Sequence, residues 1–473
     1  MKPAISLAAA LVLSPLAGAS AQTDTLPLPL EVAVSRGVTF GDEARIAEAQ
    51  TDLAEAQVTV ARAAGLPQLR FNTTQSHVME SARAQAVGQV FNQPNTYFTN
   101  LNLSQPVFQG GRVLAASRGA SHVRAATRMD AAQVRDQVAF DVQRAYLQAL
   151  FAARVLEIQT ENYRLAGERT VQAGQMLEAG RFSRYELLRA RVEQANLEPV
   201  VIQARSDADQ AVLELKRIVN IPASQPVRLT TTIDSLLIAG MVARADAHLE
   251  LDPQSAAERR PAVQAADLTA RARREAIAVA RADYLPTIGL TAQFGYGAFP
   301  RTGFPTERGQ FVTVPCPEES APDRVCTQQN GGWFADRQVG VTVSWPLFQG
   351  MRTRGNVALA RAQADLAQLQ LAQTRERATI EFARARDELV RARAVYEARR
   401  QTVSEADEAF RLASLRFARG LATQLEVSDA QLALTSAQTT EARAAYDLYL
   451  AAAGLMLAAG NPPVPDESFL RAR

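Results

Sequence analysis

The sequence predicts a mixed, mainly α fold: two copies of one long helical hairpin, each preceded by a pair of short β-strands. Three observations carry this. A motif recurs 240 residues downstream, four short segments alternate apolar and polar residues, and two long proline-free stretches space their apolar residues by threes and fours.

Residues 1–21 stand apart. Lys2 gives a positive start, Ile5 to Leu16 form a short apolar core, and Ala19-Ser20-Ala21 is a small-x-small cleavage site. The pattern predicts an export signal and a mature chain from Gln22. No later segment has the run of about 18 uncharged apolar residues that a membrane-spanning helix needs. The formal charge is +2, from 51 basic and 49 acidic residues mixed along the chain. Such a balance offers no field for nucleic acid. The only cysteines, Cys316 and Cys326, lie in a polar, proline-rich stretch. In an oxidising compartment they are expected to form a disulfide.

The duplication is read directly. Leu101-Asn-Leu-Ser-Gln-Pro-Val-Phe-Gln-Gly-Gly-Arg112 returns as Val341-Thr-Val-Ser-Trp-Pro-Leu-Phe-Gln-Gly-Met-Arg352. The same offset of 240 relates Gly180 to Gly420, Glu186 to Glu426 and Ala190 to Ala430. Upstream, Leu66-Pro67 matches Leu285-Pro286 at an offset of 219, so the second copy holds 21 extra residues, cysteines included, before its Phe-Gln-Gly. The first repeat is expected over 22–259, with strands about 68–78 and 97–108, a long helix 112–179 and a return helix 183–219. The second is expected over 260–459, with strands about 287–298 and 338–348, an insertion about 299–337, a long helix 352–419 and a return helix 423–459. A tail, 460–473, follows.

The strands alternate cleanly: Leu69 and Phe71, Leu101 and Leu103, Ile288 to Tyr296, and Val339 to Trp345 each skip a polar or small neighbour. One apolar and one polar face is the pattern of a half-buried sheet, and in an exported chain also of a transmembrane barrel. The turns from strand to helix are marked by Pro106, Phe108 and Gly110, and again by Pro346, Phe348 and Gly350.

From Arg112 to Ala179 there is no proline, and 68 helical residues would span about 100 Å. One stripe runs Ala131, Val134, Val138, Val142, Ala145, Ala149, Ala152, Leu156, and a second runs Phe140, Leu147, Phe151, Ile158, Leu165. Two stripes pack a helix against neighbours on two sides, as in a wall. Gly180 and Gly420 are expected to end the long helices. Ser183-Arg-Tyr-Glu186 and Thr423-Gln-Leu-Glu426 are capping boxes that start the returning ones.

Four strands cannot close a barrel in lipid, where an open edge leaves backbone groups unpaired. Further copies of the chain must complete it: two give eight strands, three give twelve.

The paired Ser-Gln-Pro-x-Phe-x-Gly-Gly and Ser-x-Pro-x-Phe-x-Gly motifs, the Leu-Pro pairs, the turn from Glu178 to Phe182 and Arg260-Pro261 resemble those of the TolC-like outer-membrane efflux channels. The resemblance covers nearly the whole mature chain. It implies a homotrimer with a 12-stranded transmembrane barrel in outer-membrane lipid and a periplasmic tunnel of helical hairpins. It also implies an equatorial zone built from 220–259 and the tail, and an extracellular place for the insertion. Such a channel is a passive duct for efflux or type I secretion, docked to a periplasmic adaptor protein and an inner-membrane pump. It implies a periplasmic gate at Glu426 and Asp429, with Glu186 contributing, and adaptor docking at Gly180, Arg181, Gly420 and Leu421. The sequence departs from the family where Ala422 replaces a tip arginine; Arg184 or Arg181 is expected to supply that cation.

His77, His122 and His248 are scattered. No metal spacing, catalytic triad, phosphate loop or dinucleotide fingerprint appears, so neither an enzyme nor a cofactor is expected. A periplasmic adaptor, also built on long hairpins, is the rival reading, but it needs no strand pairs ahead of each hairpin.

Overall fold

The computed structural model describes residues 25–80, 82, 94–233, 235–315 and 325–461. The export signal, the Cys316–Cys326 pairing and the tail beyond 461 lie outside the described residues.

The chain begins with β1 (Leu26–Leu28), α1 (Leu30–Phe40) and α2 (Asp42–Ala63). Strands β2 (Gln68–His77) and β3 (Asn95–Gln109) lead into α3 (Arg112–Glu178), and α4 (Arg184–Ile218) returns. A short middle segment holds β4 (Val227–Leu229), α5 (Ser235–Asp246) and α6 (Pro253–Arg259). The second copy runs α7 (Pro261–Arg281), β5 (Thr287–Ala298), β6 (Phe311–Pro315), β7 (Val325–Gln329) and β8 (Trp333–Ser344). It ends with α8 (Arg352–Ala418) and α9 (Gln424–Ala458). Both long helices have 67 residues and both return helices 35.

β2, β3, β5 and β8 form one antiparallel sheet in that order. Its register sets Leu69, Leu103, Ala292 and Val339 in one row across the strands, and Arg70, Asn102, Gln293 and Gln338 in the next. One face is therefore apolar and the other polar. Leu69, Phe71, Val339, Val341 and Val343 on the apolar side are exposed in the single chain, Val341 at 68%. Pro106 has no amide hydrogen to give, and the β3–β5 ladder slips between Pro106 and Phe108.

Three strand bounds differ from the sequence reading. β8 covers 333–344, not about 338–348, because its ladder with β5 runs from Ser344 opposite Thr287 to Trp333 opposite Ala298, the two ends of β5. The 299–337 insertion is correspondingly not a plain loop: it carries the β6–β7 hairpin and the start of β8. β3 starts at Asn95, where its side chain meets His77 Nδ1 at 2.7 Å and prolongs the pairing.

The helices form a wall. α3 packs against α4 and α9, and α9 against α8; nearer the sheet, α2 and α7 flank α3, and α7 packs on α8. The core sits at mid-length, where the chain's middle segment wraps the wall. Leu28, Leu30, Val142, Tyr146, Leu215, Met241, Tyr449 and Leu455 are all fully or nearly fully buried there. Tyr146 donates its hydroxyl to Leu28 O at 2.7 Å and accepts from Thr231 N at 3.1 Å, which fastens the parallel β1–β4 pair to α3. Among the described residues no helix is long and apolar enough to cross a membrane.

Candidate functional site

The two hairpin tips share one construction. In each, a Schellman motif closes the long helix: Arg181 N donates to Met176 O at 2.8 Å and Gly180 N to Leu177 O at 3.0 Å. In the second copy Leu421 N donates to Arg416 O at 2.8 Å and Gly420 N to Phe417 O at 2.9 Å. The motif needs a left-handed residue, and Gly180 and Gly420 stand at φ +70° and +74°. A capping box then opens each return helix. Glu186 N donates to Ser183 Oγ at 3.4 Å while Ser183 N donates to Glu186 Oε2 at 2.8 Å. Glu426 N and Thr423 Oγ1 are 3.3 Å apart, and Thr423 N meets Glu426 Oε1 at 3.1 Å.

Both tip carboxylates are thus committed to helix starts, where the amide dipoles also favour them. Glu426 and Asp429 are exposed on α9, and Arg181, Arg184 and Leu421 are exposed at the turns. The cation beside Glu426 within the chain is neither Arg181 nor Arg184. It is Arg416, on the last turn of α8, with Nη1 at 3.7 Å from Glu426 Oε2 and Nη2 at 3.3 Å from Leu421 O. The sequence signal was available, since a basic residue in the last turn of a helix commonly serves the free carbonyls there.

Behind the tips, polar links join the two hairpins. Arg169 Nη1 donates to Ser428 Oγ at 2.9 Å, Ser428 Oγ donates to Glu193 Oε2 at 3.0 Å, and Arg169 pairs with Glu193 at 3.3 Å. Burial draws the Arg169 guanidinium below its ordinary pKa, and the charge of Glu193 opposes that. Further along, Gln431 Nε2 donates to Asn162 Oδ1 at 2.6 Å, and Tyr449 donates to Gln143 Oε1 at 3.1 Å. The second stripe of α3 continues Ile158, Asn162, Leu165, Arg169 at helical spacing. Polar residues in stripe positions marked these links, and sequence reasoning passed over them.

The strand-to-helix turns are also paired. Gly110 and Gly111 lie at φ +60° and +81°, and Gly350 and Met351 at +59° and +67°. Arg112 forms an ion pair with Asp283, tying the start of α3 to the end of the α7 segment.

Comparison with known proteins gives a consistent picture. A family model described as outer membrane efflux protein matches residues 45–220 and 253–461. The chain is 25% identical over 416 residues to the cobalt-zinc-cadmium resistance protein CzcC of Cupriavidus metallidurans, covering 87% of this chain and 85% of that one. Among solved structures it is similar to CusC, with a TM-score of 0.72, 18% identity, and 91% and 92% of the two chains covered. It is also similar to VceC of Vibrio cholerae, with a TM-score of 0.71, 19% identity, and 91% and 96% covered. The adaptor reading gains no support from these relatives.

Proposed function

The chain belongs to the outer membrane efflux protein family, and from that membership we propose that three copies close into one passive duct across the outer membrane and into the periplasm. It is an outer-membrane efflux channel protein; the trimer, the closed barrel and the docking are the proposal.

The observation that carries it is a match between open edges. The sheet ends in β2 on one side and β8 on the other. The helical wall ends on the same two sides: α2 precedes β2 and α4 flanks α3, while β8 runs into α8. The edge helices expose large apolar side chains, Leu53, Val60, Val192 and Ile202 on one side, Leu359, Leu366, Leu369 and Val390 on the other. Two different complementary edges make a head-to-tail contact, which closes into a ring of three when each copy turns a third of a circle from the last. Twelve strands in such a ring leave no open edge for lipid.

Within the ring the acids of α9 would converge. Glu426 and Asp429, with Glu186 and Arg184 nearby on the first tip, form a periplasmic gate in this reading. The turns at Gly180, Arg181, Gly420 and Leu421 present the surface for an adaptor bound to an inner-membrane pump. Leu421→Asp is then expected to abolish export with assembly intact; unimpaired export would remove the docking assignment.

The deciding experiment is purification of the full chain in detergent. A trimer that conducts ions in planar bilayers is expected. A monomer, or a trimer that stays electrically silent under voltage and in every buffer tried, would end the duct reading.

A further inference from the structure

Just behind the tips lies a cavity of about 280 Å³ between the two hairpins. Its aromatic wall comes from both: Phe182 from the first turn, and Phe410 and Phe417 from α8. The Phe182 and Phe417 rings stand 6.3 Å apart between centroids. Leu165 and Val427 add aliphatic surface.

Against this apolar lining stand two amides of α9, Gln424 and Gln431. Gln431 is 3% exposed. Its Nε2 is engaged by Asn162, by Oδ1 at 2.6 Å and by the backbone O at 3.4 Å, so the acceptors around Asn162 fix the amide's orientation. Its Oε1 is buried with no hydrogen-bond partner, and so is Oε1 of Gln424. A buried carbonyl without a donor is costly, and native folds rarely keep one. Two in one aromatic cavity are acceptors that the donors of a bound molecule can satisfy.

The spacing and charge narrow the ligand. Gln424 and Gln431 are seven residues apart, so they share a face of α9 and are separated by about 10 Å of rise. Glu168 and Arg169 at the margin bring one charge of each sign, so no net field draws an ion into an apolar space. We propose that this cavity binds a flat, neutral aromatic molecule about two rings long, with a hydroxyl or N–H donor at each end reaching Gln424 and Gln431. The occupant touches both hairpins, so it favours the arrangement in which the tips are packed together.

The test uses 2,6-bis(hydroxymethyl)naphthalene as the probe, titrated into the full-length protein in detergent and followed by calorimetry. One saturable site per chain is expected. Gln424→Met keeps side-chain length and disturbs no partner of Asn162; it is expected to weaken binding about fivefold, the factor for one net hydrogen bond. Ser414→Phe, which fills the cavity from α8, is expected to abolish binding. Three results would each overturn the proposal. One is no saturable binding at millimolar probe, with water alone serving the two carbonyls. Another is binding indifferent to both variants, which places the probe elsewhere. The third is binding lost in Ser414→Phe but unchanged in Gln424→Met, which denies the amide its part.

Discussion

Arg169 and Ser428 join the two hairpins by a 2.9 Å hydrogen bond, and the same hydroxyl reaches Glu193 at 3.0 Å. One serine thus holds α3, α4 and α9 together. Ser428→Ala is expected to weaken this junction by about 1 kcal/mol. Backbone amides in the first turns of α9 should then exchange with deuterium about fivefold faster. Arg169→Met should do more, since it leaves Glu193 half-buried opposite an apolar chain. Exchange rates equal to wild type in both variants would show the junction to be energetically idle.

The roles of Glu426 can be separated because a cap needs an acceptor while a gate needs a charge. Glu426→Gln with Asp429→Asn keeps the capping geometry and is expected to reduce the cation selectivity of single channels, read as a shift in reversal potential under a salt gradient. Thr423→Ala should lower stability by about 1 kcal/mol and leave selectivity in place. Selectivity that survives the neutral double variant rules out the acidic gate.

Met351 stands at φ +67° where the first copy has Gly111 at +81°. A left-handed side chain other than glycine costs about 1 kcal/mol. Met351→Gly is therefore expected to stabilise the fold by up to about 1 kcal/mol, seen as a higher urea midpoint. Gly110→Ala should move the midpoint down, because its Cβ would come within 2.6 Å of Ala282 O as well as adopting a positive φ. Midpoints that shift the other way would show the turns to be unstrained.

Asp136 on α3 has its carboxyl pushed up from 3.8 to about 6 by burial. The fold prefers the neutral form, so the stability this group supplies is complete below pH 3.8 and is lost as pH rises through about 6. Asp136→Asn fixes a neutral side chain of the same shape. It is expected to be more stable than wild type at pH 7 and equal to it below pH 3.8, by denaturation at the two pH values. A constant difference across that range would mean that Asp136 does not titrate there.

The hairpins were legible because their signals are local and repeated. Gly180 with Ser183 and Glu186, and Gly420 with Thr423 and Glu426, state helix end and helix start within seven residues. The apolar row Leu69, Leu103, Ala292 and Val339 was foreseeable as four alternating segments, though not as one row, since register depends on partners far along the chain. What stayed hidden was long-range. Nothing near Leu28 announces Tyr146. The β6–β7 hairpin lacks a compact turn dipeptide and reads as polar loop. The cavity exists only where Phe182 of one copy meets Phe410 and Phe417 of the other, at positions the 240-residue offset does not relate.

The matched lengths of the four long arms constrain how such a molecule can change over generations. Losing a single residue from α3 alone would swing every later side chain by about 100° and draw it back by 1.5 Å, while α4 stayed put. Compensated gains or losses in both arms, of about seven or eleven residues, return the stripes close to their own faces. Reach is therefore inherited in steps of about 10 or 16 Å rather than one residue at a time.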